Sequence, residues 1–229
     1  MPPGISLKIS SKFVAIFCIL KTLLKEEEAF VKKLIEYSVA DVVRAATSLT
    51  HSESISFIET ASQLIAAIFR SGGKVLVAGN GGSLCDATHF AEELTGQFRL
   101  RRKALPAIAL SDPGHLSCVA NDMGFDAVFS RAVEALGRPG DLLIVLTTSG
   151  NSKNIVQAVS QAKKQGMKTI ALLGKSGGAV KGLCDLEWIV EGFAFSDRVQ
   201  EAHMAALHLI VEMVEHQLFY AESKVLCEC

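Results

Sequence analysis

Two pairs of side chains have the spacing of a reaction centre. His89 and Glu93 lie four residues apart in a stretch of helical pattern, which places both on one face, a turn from each other. Gln200 and His208 lie eight apart in a later helical stretch, about two turns along one side. Four groups from two helices can then converge on one point. A carboxylate and an imidazole suit a reaction in which a base takes a proton from one carbon and an acid protonates the neighbouring oxygen, as in aldose–ketose interconversion. A divalent ion such as zinc, held by the two histidines, the glutamate and an amide oxygen, would polarise the substrate oxygens. His and Glu at this spacing are also common surface neighbours. His203 and His216 share the last helix, so spacing alone does not choose among its histidines.

Two loops offer a place for an anion. In Gly79-Asn80-Gly81-Gly82-Ser83 the glycines permit a tight turn and a close approach of backbone N–H groups, and Ser83 is expected to cap the helix that follows. The start of a helix presents free donors and a favourable dipole to negative charge. Thr147-Thr148-Ser149-Gly150-Asn151-Ser152 adds four hydroxyls before another helix start. Together the loops can surround a phosphate with neutral donors. Neither is a nucleotide-binding motif: the first lacks the third glycine of a GxGxxG fingerprint, since Leu84 stands there, and neither ends in Gly-Lys-Ser/Thr.

The elements that must position these groups follow from the hydrophobic pattern. Val75–Ala78, Ala107–Leu110, Leu142–Leu146, Thr169–Leu173 and Leu186–Val190 are short, nearly all-apolar runs, as in strands covered on both faces. Helices are predicted between them at Ser83–Gln97, Phe125–Leu136, Ser152–Gln165 and Ala179–Leu183, with a long last helix over Ser196–Tyr220. The alternation predicts βαβ units and a parallel sheet, so both loops leave carboxyl ends of strands and face one crevice. Upstream, Glu26 to Arg70 reads as two helices; the second begins near Ser54, with Ser54 or Ser56 as cap, and Ser71-Gly72-Gly73 stops it.

The chain of 229 residues is 49% hydrophobic and can bury one substantial core. Twenty-three basic and 24 acidic side chains leave a formal charge of −1, so no global field favours nucleic acid or an anionic membrane. The basic run Arg99-Leu100-Arg101-Arg102-Lys103 lacks interleaved aromatics and reads as a solvated turn or a subunit contact. Six cysteines without a CxxC pair suit a reducing compartment, and Cys227-Glu228-Cys229 reads as part of a frayed tail, 221–229. Phe13–Leu20 is too short to span a membrane and has no cleavage site after it, so a cytoplasmic location is expected.

The stretch from Gly79 to Gly96, GNGGSLCDATHFAEELTG, resembles the signature of the phosphoheptose isomerases of the sugar isomerase (SIS) superfamily. The resemblance continues through Ser111-Asp112, Asn121-Asp122, Thr148–Ser152 and Asp197–His203, and covers roughly Ala29 to Phe219. It implies a three-layer, doubly wound α/β fold of flavodoxin-like type with a five-stranded parallel sheet and added N-terminal helices. The single domain would span 29–220, with 1–28 as an extension lacking a family counterpart. It implies conversion of D-sedoheptulose 7-phosphate to D-glycero-D-manno-heptose 7-phosphate for bacterial heptose and lipopolysaccharide core precursor synthesis. By the same resemblance, Asn80, Gly81, Gly82, Ser83, Glu93, Asn121, Asp122, Thr147, Thr148, Ser149, Ser152 and Gln200 bind the substrate. His89, Glu93, Gln200 and His208 hold Zn2+, one ion per subunit, with Glu93 as base and His208 as acid. The expected assembly is a homotetramer with sites completed by neighbouring subunits, without nucleic acid or membrane partners. Thr147 stands where the family commonly has serine and keeps the hydroxyl. The alternative reading is a non-catalytic SIS-domain protein that binds phosphosugars or associates with a replication initiator; the presence of both Glu93 and His208 weighs against it.

Overall fold

The computed structural model describes residues 11–220. Compactness divides the chain after Arg44. Helix α1 (Ser11–Thr47) passes through the run Phe13–Leu20 and across position 28 without a break. Helix α2 spans Ser52–Arg70 and begins earlier than the sequence suggested, with His51 rather than Ser54 or Ser56 at its N-cap. Ser54 has another role: its hydroxyl donates to the Ser48 carbonyl and accepts the Trp188 indole N–H at 3.0 Å.

All five expected strands form: β1 (Val75–Gly79), β2 (Ala107–Ala109), β3 (Leu142–Thr147), β4 (Lys168–Gly174) and β5 (Leu186–Val190). They make one parallel sheet in the order β2-β1-β3-β4-β5, the flavodoxin-like doubly wound order. Between them lie α3 (Gly82–Thr95), α4 (Pro113–Met123), α5 (Val128–Leu136) and α6 (Lys153–Lys164), and α7 (Ser196–Glu215) closes the fold. A π-helical turn, His216–Tyr220, follows α7. The two-residue period of the strands divides the core. Val75, Val77, Leu142 and Ile144 face one way, towards Phe57, Phe90 and Leu207 of α2, α3 and α7. Leu76, Ala78, Leu143 and Val145 face Phe129 and Ile155 of α5 and α6 on the other side.

Two expectations fail for local reasons. The sequence reading missed α4, although Asp112 caps it by accepting from the His115 N–H at 2.6 Å and Pro113 occupies its first turn. The helix expected at Ala179–Leu183 is only a 3-10 turn, Gly178–Val180, bounded by Gly177 and Gly182 at φ 84° and 81°. The tail 221–229 with its Cys227-Glu228-Cys229 lies outside the described residues. Cys85, Cys118 and Cys184 are free thiols. Among the described residues no helix is long and apolar enough to cross a membrane.

His203 shows why α7 docks with one fixed face. Its ring is wholly buried near Trp188, and its Nε2 lies 3.0 Å from the Leu173 carbonyl of β4. Burial pushes its pKa down to about 4. A histidine held neutral in the fold but free to protonate when unfolded contributes stability that is complete above pH 6.5 and fades as pH falls towards 4. Urea unfolding of wild type and His203→Gln should therefore show a stability difference that is largest above pH 6.5. Below that it shrinks by at most about 1.4 kcal/mol per pH unit. A difference that does not change with pH would remove this account. Asp86, whose carboxyl burial raises, acts in the opposite sense, but it is present in both proteins and cancels.

Candidate active site

The sheet order changes direction between β1 and β3, and their carboxyl ends lie side by side, with Gly79 in register with Leu146. Their loops therefore open into one crevice at the switch point. It measures about 300 Å³ and is lined by Asn80, Gly81, Gly82, Ser83, Thr147, Thr148, Ser149, Ser152, Ser196 and Gln200. Gly81 has φ +56°, which starts α3 at Gly82. Ser83 is consequently not the cap expected from sequence but a buried residue of the first turn. Gly79 is required on packing grounds, since a Cβ there would meet the Ser83 carbonyl oxygen at 2.5 Å. At Gly82 a Cβ would strike the Gln200 side chain at 2.7 Å, so this glycine admits the amide to the crevice. Ser152 is the N-cap of α6 and makes no side-chain bond to that helix.

The second part of the site lies between α3 and α7. Glu93 is 6% exposed, and its Oε1 is 3.3 Å from Nε2 of His89 and 3.3 Å from Nε2 of His208. The ligand atoms of all three lie within 4.8 Å of one another. The two imidazoles meet edge to face, and Phe98 stacks on His208 at 5.8 Å and 22°. Burial raises the Glu93 carboxyl above its ordinary range, and His208 and His89 partly offset this. A carboxyl shifted towards neutrality is suited to taking and returning a proton at physiological pH. Its Oε2 is buried without a hydrogen-bond partner, a costly condition that a cation or a bound substrate would relieve. Two imidazole nitrogens and a carboxylate are a fitting donor set for zinc. One turn before His89, burial lifts the Asp86 carboxyl to about 6.

The structure thus brings together His89, Glu93 and His208, and separately collects Asn80 to Ser83, Thr147 to Ser149, Ser152 and Gln200. Gln200 lies two turns before His208 on α7, and its side chain rests against Gly82 in the crevice. Asn121 and Asp122 are elsewhere: both are exposed in the last turn of α4, where the Asn121 amide donates to Asp122 at 2.7 Å. Sequence reasoning missed Asn154, which is 2% exposed and exchanges two amide hydrogen bonds, 3.0 and 2.9 Å, with Asn80. This reciprocal pair staples the two loops together. No local pattern marks it, because the partners are 74 residues apart. Asn154→Ala should cost roughly 1–3 kcal/mol of stability, since it leaves a buried amide unpaired. It should also raise KM for a phosphosugar more than it lowers kcat; thermal melts and steady-state kinetics check both, and an unchanged KM would detach the staple from the loops.

A parallel sheet of this order, with a hydroxyl-lined crevice at its switch point, is the architecture of the SIS domain family. That family's sequence model matches residues 38–174, and the chain belongs to it. Within the family it belongs with the phosphoheptose isomerases, and it is an enzyme. It is 55% identical over 179 residues to the phosphoheptose isomerase of Vibrio cholerae, covering 78% of this chain and 93% of that one. It is 58% identical over 161 residues to that of Fusobacterium nucleatum, covering 70% and 82%. The solved phosphoheptose isomerase of Francisella tularensis superposes with a TM-score of 0.76 at 35% identity, and GmhA of Neisseria gonorrhoeae with 0.74 at 35%. Each covers 81% of this chain and 98% of its own.

Proposed function

We propose that the chain converts D-sedoheptulose 7-phosphate into D-glycero-D-manno-heptose 7-phosphate, supplying heptose for lipopolysaccharide core precursors. The observation that carries this reading is the meeting of Glu93 with His89 and His208 on two helices that also border the hydroxyl-lined crevice. The crevice holds the phosphate through backbone N–H groups at the start of α3 and the hydroxyls of Thr147, Thr148, Ser149 and Ser152. From Gly82 to His89 the rise of an α-helix covers about 10 Å. A substrate anchored by its phosphate at one end can therefore react at the other.

Glu93 takes the proton from C1 of the ketose while His208 gives one to the carbonyl oxygen on C2, which leaves an enediol. Glu93 then returns its proton to C2, and His208 recovers one from the hydroxyl on C1, which becomes the aldehyde. No net proton is gained or lost. Zinc would be held by His89, Glu93 and His208, with the Gln200 amide from the adjoining crevice as the expected fourth donor, and would polarise the substrate oxygens. Asn121 and Asp122 then contact substrate across a subunit boundary. The expected assembly is a homotetramer, supported by the exposed Phe30, Ile35 and Val39 on α1. Free thiols at Cys85, Cys118 and Cys184 suit a cytoplasmic location.

The test is incubation of purified protein with the ketose phosphate, with added zinc and with chelator, while aldose formation is followed. Turnover that chelator abolishes and zinc restores is expected. A folded protein that does not turn over the seven-carbon substrate with zinc, or that prefers a six-carbon ketose phosphate, would overturn the assignment.

A further inference from the structure

Within the basic run Arg99–Lys103, Arg102 turns inward while its neighbours are exposed. Arg102 is 1% exposed at its side chain, and its Nε donates to Oε1 of Glu215 at 2.7 Å, a partner itself only 4% exposed. The remaining donors of the fork reach the end of α3: Nη2 bonds the Glu93 carbonyl at 2.6 Å, and Nη1 bonds the carbonyls of Leu94 at 2.8 Å and Gly96 at 3.2 Å. These are last-turn carbonyls, which have no partner within the helix and lie at the negative end of its dipole. Glu215 ends α7 seven residues after His208, two turns along the same side. A single buried guanidinium therefore joins the residue that carries the carboxylate to the helix that carries the imidazole. The same segment supplies Phe98, whose ring stacks on His208. The neighbouring Arg99–Glu212 pair ties the segment after α3 to α7, but Arg99 is 60% exposed and the pair is correspondingly weak.

We propose that Arg102, through its buried pair with Glu215 and its hold on the Glu93 carbonyl, is the positioning residue that sets the separation of Glu93 from His208. A planar fork is needed, because a lysine ammonium cannot bond Glu215 and two carbonyls in one fixed geometry. Arg102 has no place among the residues lining the crevice or in the triad, so it acts through the Glu93 backbone on one side and Glu215 of α7 on the other. The proposal rests on the functional reading above in taking Glu93 and His208 as one centre.

Its test separates positioning from simple stabilisation. Replacing a buried ion pair with apolar side chains commonly restores stability, whereas removing one partner does not. Arg102→Met should lower the melting temperature, the affinity for zinc and kcat together. The double variant Arg102→Met/Glu215→Leu should melt above Arg102→Met, because no buried charge is left unpaired, yet bind zinc roughly 10–100-fold more weakly than wild type in a chelator competition. Its kcat should fall at least about tenfold with KM little changed, since the phosphate loops are untouched. Arg102→Lys should fold and give intermediate zinc affinity, and it decides the matter if the double variant does not fold. Zinc affinity equal to wild type in either folded variant overturns the proposal, as does a wild-type protein that binds no zinc at this triad. The zinc titration needs no sugar, so failure of wild type to isomerise the heptulose phosphate would overturn the functional reading while leaving Arg102 to be judged on metal affinity.

Discussion

Glu93→Gln is expected to fold normally and to lose roughly 10²–10⁴-fold in kcat, the contribution of a positioned acid–base group. The fold should tolerate the change because burial already disfavours the carboxylate charge at this position, so the amide removes a desolvation cost rather than a stabilising ion. The near-isosteric amide keeps the shape between His89 and His208 and removes only the ability to take a proton and to present a negative charge. Zinc affinity should fall in parallel. Steady-state kinetics at saturating zinc, together with a thermal melt, check both halves of the expectation. Unchanged kcat would remove Glu93 from the reaction, and a collapsed melt would mean that its role is structural.

The largest effect on stability is expected at Gly150. It has φ +66°, and a Cβ there would sit 1.9 Å from the Gly177 carbonyl oxygen, a backbone atom that cannot swing aside. Gly178 answers it from the other chain segment, with φ +55° and a Cβ that would lie 2.6 Å from the Ser149 carbonyl oxygen. The hydroxyl loop is thus pressed directly against the β4–β5 connection, and the Val180 N–H donates to the Gly150 carbonyl at 3.0 Å. Gly150→Ala combines a left-handed backbone penalty with overpacking, together about 2–5 kcal/mol. For a chain of this size that is a fall of roughly 5–15 °C in melting temperature. Any folded fraction should bind phosphosugar more weakly, because Thr147 to Ser152 must shift to make room. A melting temperature within a degree of wild type would show that the close approach is relieved at little cost.

Much of this architecture was legible because the strands are buried on both faces: Val75 to Ala78 and Leu142 to Leu146 have no polar residue to blur their limits. Helix α4 was not, because Pro113 and Gly114 at its start look like a loop until Asp112 is seen to cap them. In the site, the four-residue step from His89 to Glu93 was readable, and so was the pairing with a histidine of the last helix. The choice between His203 and His208 was not readable from spacing. They are five residues apart, so one faces the core beneath β4 and the other the gap beside α3, a difference set by how the helix rolls on the sheet. Arg102 and Asn154 are buried by pairing with side chains 113 and 74 positions away, and nothing in their neighbourhoods announces it. The basic run around Arg102 even suggests solvent, because charge in a sequence does not reveal that its counter-charge arrives from another helix.

The two halves of the centre come from opposite ends of the α/β region: His89 and Glu93 from its first βα unit, His208 from the helix that ends it. During synthesis, the sheet order allows β1 and β3 to pair and bring the two crevice loops together before α7 adds Ser196 and Gln200. A polypeptide that stops short of α7 can thus hold both loops and Glu93 while lacking the Gln200 amide and the His208 imidazole. On the proposed mechanism the acid–base centre is therefore completed only by α7, the last long helix among the described residues.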